Sequence, residues 1–155
     1  MALERLDDLY RDAILEHRRN PRNANKLEDF NTTGNALNPF CGDEIHLQLK
    51  QDGQGRVIAV GLQGEGCSIN QASGSMLTEA IRGKNPQEIR TLADWVRKMM
   101  QGDPEAESHL RSEGDIPNLI GVREYPVRIK CALLPWSALD DALSRTPHES
   151  NSSRT

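Results

Sequence analysis

A segment of alternating apolar and polar residues and a second, mainly apolar segment flank a glycine-rich turn in the stretch IHLQLKQDGQGRVIAVGL, residues 45–62. Ile45, Leu47 and Leu49 alternate with polar residues, which is the pattern of a strand that is buried on one face. Residues 51–55 read QDGQG, which is typical of a turn, and residues 57–62 supply a second apolar segment. The stretch therefore predicts an antiparallel β-hairpin.

The hairpin places two chemically reactive segments at one end. Its first strand is preceded by Asn38-Pro39-Phe40-Cys41-Gly42-Asp43, and its second is followed by Gly64-Glu65-Gly66-Cys67. In an antiparallel hairpin the start of the first strand lies beside the end of the second, so Cys41 and Cys67 are expected to be near each other. Residues two apart in an extended segment point the same way, so Asp43 can reach the same point as Cys41.

Cys131 is the third and last cysteine of the chain. Three thiolates and one carboxylate favour tetrahedral Zn²⁺, and iron–sulfur ligation by the same residues is chemically possible. The alternative is that Cys67 and Cys131 are small buried apolar residues, as free cysteines often are. The wide spacing and the lack of a C-x-x-C pattern leave both interpretations open.

The rest of the chain is predominantly helical in pattern. We predict helices over residues 2–19, from a Ser68 N-cap to Gly83, from Pro86 to about residue 102, and from Pro126 onward. Asn85 and Glu88 form a capping-box pattern at the third helix. The polar residues 20–38 predict a loop, and residues 103–120 predict a surface excursion with a short helix between Pro104 and Arg111.

Several single residues carry further expectations. Gly74 lies inside a predicted helix and indicates a close approach by another element. Pro135 predicts a kink or the start of a second helix, because it cannot donate to the carbonyl of Cys131. His46 alternates with the apolar strand positions and is expected to face away from the core. Arg128 lies one helical turn before Cys131, where its charge would stabilise a thiolate or persulfide.

Length and composition exclude several classes of protein. The 155 residues predict one domain over residues 1–145, and the polar residues 146–155 predict a disordered tail. A net charge of −4 argues against a nucleic-acid partner, and no apolar segment is long enough to span a membrane. The charged N-terminus lacks a signal-peptide pattern, so a cytoplasmic location with reduced thiols is expected.

Three blocks of the sequence resemble the IscU/NifU-N family of iron–sulfur assembly proteins. They are the N-P-x-C-G-D motif at residues 38–43, the block that starts Gly66-Cys67-Ser68-Ile69, and the P-x-R-x-x-C block at residues 126–131. The resemblance covers residues 3–145, and Lys130, where IscU proteins carry histidine, makes the chain similar to the SufU branch. It implies an α+β fold with a small antiparallel sheet of about three strands and helices packed on one face.

The resemblance also implies a function. Cys41, Asp43, Cys67 and Cys131 match the zinc ligands of SufU proteins, Cys41 also matches the cysteine that accepts sulfur, and Arg128 matches the arginine near the site. Such proteins take persulfide sulfur from a SufS-type cysteine desulfurase and pass it to downstream assembly components. Cys41 would leave the metal to do so, and a histidine of the desulfurase would replace it. On this reading the chain is a sulfurtransferase that works with the desulfurase rather than alone.

Two other functions use the same residues. A scaffold would hold a transient [2Fe–2S] cluster or iron on these cysteines, although Lys130 argues against this function. A binding module would use zinc only for structure, but a loop-borne Cys41 beside Gly42 is not typical of a closed structural site.

Overall fold

The computed structural model describes residues 12–39 and 42–144. The helices are α1 (Asp12–Arg19), α2 (Ser68–Ala80), α3 (Pro86–Met100), α4 (Pro104–Leu110) and α5 (Pro126–Leu143), and a 3₁₀ helix covers Ile116–Glu124. The strands are β1 (Thr32–Asn38), β2 (Asp43–Gln51) and β3 (Val57–Glu65). The predictions for residues 2–11, for Cys41 and for the tail at 146–155 lie outside the described residues.

The predicted hairpin is confirmed and forms two-thirds of the sheet. The strand order is β1-β2-β3, and both neighbouring pairs are antiparallel. In the turn, Asp52 Oδ1 accepts hydrogen bonds from the backbone N–H groups of Gln54 and Arg56, both at 2.9 Å. Glu44 pairs with Glu65, so the start of β2 lies beside the end of β3, as the predicted antiparallel hairpin requires.

Strand β1 contradicts the loop that we predict for residues 20–38. Its inward-facing residues are small or polar, so its sequence lacks the apolar alternation of a strand. Small residues are needed because α5 crosses this strand closely. A Cβ atom on Gly34 would lie 2.1 Å from the carbonyl oxygen of Ala138. Thr32 is also buried, and its hydroxyl donates to Gln51 Oε1 at 2.7 Å.

The helices cover the inner face of the sheet and confirm the expected α+β fold. Ile45, Leu47 and Leu49 of β2 face this core and are at most 3% exposed. The close approach expected at Gly74 is also confirmed, because a Cβ atom there would lie 2.6 Å from Leu62 Cδ2. His46 points away from the core as predicted, with its side chain 54% exposed.

Helix starts follow the sequence pattern at two of three places. Asn85 caps α3 in a capping box with Glu88, and Pro126 occupies the first turn of α5. The N-cap of α2, however, is Cys67 and not Ser68, and no side chain caps this helix. The N-terminal N–H groups of α2 are therefore left for partners other than its own cap residue.

The predicted surface excursion at residues 103–120 is wrong in one respect. A short helix forms over Pro104–Leu110 as predicted. Both this helix and the following 3₁₀ helix contribute fully buried side chains to the core: Ala106, Leu110, Ile116, Leu119 and Val122. The apolar residues are too widely spaced among charges to show an amphipathic period in the sequence.

Helix α5 continues through Pro135 from Pro126 to Leu143, so the predicted second helix does not begin there. The Ser73 hydroxyl of α2 donates to the carbonyl of Ala132 at 2.6 Å, within the turn that the proline disturbs. Trp136 Nε1 in turn donates to Ser73 Oγ at 3.1 Å. Side chains from α2 thus support α5 around its internal proline. Across residues 12–39 and 42–144, no helix has the length and apolar character needed to cross a membrane.

Candidate metal centre

Three elements meet at one end of the sheet and bring three donor groups together. Asp43 is the first residue of β2, Cys67 immediately precedes α2, and Cys131 lies in the second turn of α5. The hairpin register places Asp43 next to the end of β3, and the chain passes directly from β3 to Cys67. Cys131 is distant in sequence, and it reaches this end of the sheet because α5 packs along β1 and α2.

The donor atoms of these residues converge closely. One carboxylate oxygen of Asp43 and the Sγ atoms of Cys67 and Cys131 all lie within 4.8 Å of one another. Asp43 is 3% exposed and Cys131 is 1% exposed, whereas Cys67 is half-buried. Cys41, the fourth predicted donor, lies outside the described residues. The other three predicted donors therefore form one cluster, and Cys67 is the most exposed of the three.

The Asp43 carboxylate is only partly satisfied by protein groups. Its Oδ2 atom is buried and has no hydrogen-bond partner within the described ranges. A buried carboxylate oxygen without a partner is costly unless a cation or a proton satisfies it. The same carboxylate places one of its oxygens within 4.8 Å of the Sγ atoms of Cys67 and Cys131, which can also donate to a cation.

The pKa shifts at the cluster also indicate a site that a cation would stabilise. Burial, and after it the neighbouring Cys67 and Asp43, together raise the pKa of the Cys131 thiol to about 12, because a buried thiolate beside these groups would be poorly solvated and repelled. The Cys67 sulfur in turn raises the pKa of Arg128, and Cys131 contributes less. Arg128 therefore lies beside the sulfurs, as its position one turn before Cys131 predicts.

The donor set fits a zinc ion. Two thiolates and a carboxylate are among the ligands that Zn²⁺ takes in tetrahedral sites, and Zn–S bonds of about 2.3 Å place two sulfurs roughly 3.8 Å apart. A separation within 4.8 Å requires little movement to reach that geometry. A divalent cation would also remove the repulsion that keeps Cys131 protonated.

Two further buried polar residues carry no clear sequence signal. Asn70 lies in the first turn of α2 and is fully buried, and its side-chain oxygen and nitrogen both lack a partner in the part of the chain that the structure describes. His17 is also fully buried, 2.6 Å from Ser75 Oγ and 2.9 Å from Asp115 Oδ2. In the sequence both resemble ordinary polar residues of a helix.

The fold and the converging thiol and carboxylate groups define a small α+β domain with a cysteine-lined site at one end of its sheet. Residues 9–132 match the family described as NifU-like N terminal domain, and the chain belongs to this family.

Known relatives and solved structures agree with this assignment. The chain is 43% identical to the zinc-dependent sulfurtransferase SufU of Bacillus subtilis, over 90% of this chain and 92% of that protein. It is 36% identical to the iron–sulfur cluster assembly scaffold protein IscU of Streptococcus pyogenes, over 94% of this chain and 89% of that protein.

A crystal structure of a putative iron–sulfur cluster assembly scaffold protein for the SUF system, from Fervidobacterium islandicum, superposes with a TM-score of 0.80 at 34% identity. That superposition covers 88% of this chain and 98% of the other. The resemblance to the SufU branch that the sequence motifs suggest is thereby confirmed.

Proposed function

We propose that this protein takes part in iron–sulfur cluster assembly in the cytoplasm, as a zinc-binding sulfur acceptor for a SufS-type cysteine desulfurase. The observation that carries the proposal is the convergence of the donor atoms of Asp43, Cys67 and Cys131, together with a buried Asp43 oxygen that has no hydrogen-bond partner in the described part of the chain. The name of the Bacillus subtilis relative, a zinc-dependent sulfurtransferase, supports the same activity.

Cys41, Asp43, Cys67 and Cys131 would hold the zinc ion. Bound zinc keeps coordinating thiols deprotonated and so supplies thiolates at neutral pH. Asp43 is the one oxygen donor of the set, and carboxylate oxygen is a harder ligand than thiolate. Such a mixed site is suited to ligand exchange rather than to purely structural closure.

Sulfur transfer then requires a thiolate of this chain to attack the partner's persulfide. In the proposed step, the Cys41 thiolate attacks the outer sulfur of the desulfurase persulfide, R–S–SH. The bond between the two sulfurs of the partner breaks, and its inner sulfur leaves as a thiolate, R–S⁻. The product is Cys41–S–SH, so one sulfur atom moves and no net oxidation occurs.

Arg128 supplies positive charge for this exchange. Its guanidinium lies beside the Cys67 and Cys131 sulfurs, which raise its pKa, so it stays protonated throughout. A fixed cation next to the site favours the anionic sulfur that exists before and after the transfer. We therefore assign Arg128 the role of stabilising thiolate or persulfide.

The decisive experiment measures desulfurase turnover and the sulfur that reaches this chain. Cys41→Ala is expected to abolish both the stimulation of the desulfurase and the mass increase of one sulfur atom, whereas Gln87→Ala on the exposed side of α3 serves as the control. Full stimulation by the Cys41→Ala variant would overturn the acceptor role.

A second candidate function is that of a cluster scaffold, which is what the name of the Streptococcus pyogenes relative IscU describes. The same thiols could assemble a transient [2Fe–2S] cluster and pass it on. Metal analysis separates the two functions. A sulfur acceptor retains zinc after anaerobic incubation with iron and sulfide, and a scaffold exchanges it for iron with visible charge-transfer absorption.

A further inference from the structure

Cys67 and Cys131 are the two thiols of the described cluster, and their sulfur atoms lie within 4.8 Å of each other. A disulfide needs a sulfur–sulfur distance of about 2.05 Å, so the two atoms must approach by roughly 3 Å or less. A change of one rotamer moves a cysteine sulfur by about this distance. The backbones beneath are held together, because α2, which begins directly after Cys67, packs against α5, which carries Cys131.

Few bonds hold the two thiols apart. The Cys67 side chain makes no capping bond to α2, although Cys67 is the N-cap residue of this helix. Cys131 Sγ lies 3.8 Å from the carbonyl oxygen of Val127, one turn earlier in α5, which is a weak contact because a thiol is a poor donor. The other polar neighbours of the sulfurs, Asp43 and Arg128, belong to the same cluster. Rotation of either thiol therefore costs little.

The two thiols differ in their access to solvent. Cys67 is half-buried, whereas Cys131 is 1% exposed. Arg128 adds positive charge beside the Cys67 sulfur, a surrounding that is typical of reactive rather than inert cysteines. A small oxidant from solvent therefore reaches Cys67 first, and Cys131 is the thiol that lies next to it in the described part of the chain.

We propose that Cys67 and Cys131 are a redox-active pair that closes to a reversible disulfide when the metal-free protein meets a peroxide. The disulfide uses two of the three described donors and leaves Asp43 alone, so the oxidised protein cannot hold zinc. Bound zinc in turn occupies both sulfurs and prevents closure. The metal centre and the disulfide are thus alternative states of one cluster. This inference rests on the proposed function, because it assigns a regulation to the same site.

The reaction has two steps. The Cys67 thiolate attacks one oxygen of hydrogen peroxide, the O–O bond breaks, and the products are Cys67–SOH and hydroxide. The Cys131 sulfur then attacks the Cys67 sulfur, the S–O bond breaks, and a second hydroxide leaves. The protons of the two thiols convert both hydroxides to water. Together the two sulfurs lose one electron pair, which reduces the peroxide to water.

Intact mass and peptide mapping give the first test. The full chain is reduced, freed of zinc with a chelator and treated with hydrogen peroxide in the absence of denaturant. We expect each chain to lose the mass of two hydrogen atoms and to recover it with a phosphine reductant. Trypsin cleaves after Lys50 and Arg82, so the three cysteines fall in different peptides, and those of Cys67 and Cys131 should be joined. Zinc-loaded protein under the same treatment should keep its mass.

Two variants distinguish this pair from the other possible pairings. Cys41→Ser keeps both thiols and should lose the same two hydrogen atoms, whereas Cys131→Ser cannot close and should gain oxygen at Cys67 as sulfinic acid. A Cys41 peptide joined to either of the others, or failure of Cys41→Ser to close, overturns the proposal. The mapping of the unsubstituted protein decides the question even where Cys131→Ser is unstable.

Zinc uptake tests the consequence for the metal centre. In competition with a chromophoric chelator, the oxidised protein should take up no zinc until the reductant is added, and uptake equal to that of the reduced protein would refute the regulation. Sulfur acceptance is measured separately, on the reduced and zinc-loaded protein. A chain that accepts sulfur at Cys41 and never forms the disulfide refutes this inference alone. A chain that forms the disulfide and accepts no sulfur refutes only the proposed function.

Discussion

Asp43 and Cys131 bring a carboxylate oxygen and a thiol sulfur to within 4.8 Å of each other from opposite sides of the core, one on β2 and the other on α5. Both residues are buried, and the Asp43 Oδ2 atom has no hydrogen-bond partner in the part of the chain described. Burial and the neighbouring Cys67 and Asp43 raise the pKa of the Cys131 thiol, so a divalent cation held at the cluster would favour its thiolate.

Zinc binding should therefore depend on the charge of Asp43. Asp43→Asn keeps the shape of the side chain and removes its charge. We expect zinc affinity to fall by at least about tenfold to a hundredfold, which is the loss typical when a residue that only supports a metal ligand is replaced. Competition with a chromophoric chelator measures the affinity. Asp94→Asn on the exposed face of α3 is the control. Equal affinities for the two variants would exclude Asp43 as a ligand.

The stability of the metal-free protein should fall in alkaline solution. Burial, with Cys67 and Asp43 beside it, raises the pKa of Cys131 from 9.0 to about 12, so the folded state retains a proton that the unfolded state has already lost. The stabilising effect is complete below pH 9 and disappears as the pH rises towards 12.

Urea unfolding of the chelated protein between pH 8 and 11 measures this dependence. Cys131→Val cannot titrate, so its unfolding free energy should show a shallower decline with pH over the same range. Parallel declines for the two proteins would show that Cys131 is not the group responsible.

Local sequence patterns were sufficient to predict the hairpin and the capping box at Asn85. Both are formed by residues that are close together in the sequence, so the local residue pattern is enough to specify them. The convergence of Asp43 with Cys67 follows from the hairpin for the same reason. The position of Cys131 does not, because it depends on how α5 lies against the sheet, and only the motif resemblance suggested it.

Strand β1 was not predicted because its inward-facing residues are small rather than strongly apolar. Gly34 and Ala36 face α5, and an alternation of small residues carries no hydrophobic signal. The buried amide of Asn70, which has no hydrogen-bond partner among the described residues, was missed for a different reason. Whether a polar side chain is buried without a partner depends on the whole fold, and the sequence around Asn70 resembles any helix start.

Gly34 provides a test of the contact between β1 and α5. A Cβ atom at this position would lie 2.1 Å from the Ala138 carbonyl oxygen and 2.7 Å from the Ala142 Cβ atom. We expect Gly34→Ala to lower the unfolding free energy by about 1–3 kcal/mol, because strand and helix must separate. Gly53→Ala in the hairpin turn has no atom within 4 Å of its Cβ and should change it little. Chemical denaturation measures both variants, and equal values would mean that β1 and α5 are not in close contact.

His17 should stabilise the attachment of α1 to the rest of the domain. Its Nδ1 lies 2.6 Å from Ser75 Oγ and its Nε2 lies 2.9 Å from Asp115 Oδ2, so one fully buried ring joins α1, α2 and the start of the 3₁₀ helix. In His17→Leu the ring is replaced by a side chain that cannot form either bond. Asp115 is half-exposed and can be hydrated instead, whereas Ser75 is buried and keeps only the bond from the Arg22 N–H at 2.8 Å.

We therefore expect His17→Leu to reduce the unfolding free energy by about 1–3 kcal/mol. Most of this reduction comes from the lost hydrogen bond between the His17 ring and the buried Ser75 hydroxyl. Zinc content should not change, because the ring is bonded to Ser75 and Asp115, which are not among the proposed zinc ligands. His46→Leu, on the solvent-facing side of β2, is the matched control and should stay within about 0.5 kcal/mol of the parent. Hydrogen exchange adds a local readout. Amides of α1 should exchange faster in His17→Leu while those of β2 and β3 keep their protection, and uniform protection throughout would show that the ring does not hold α1 in place.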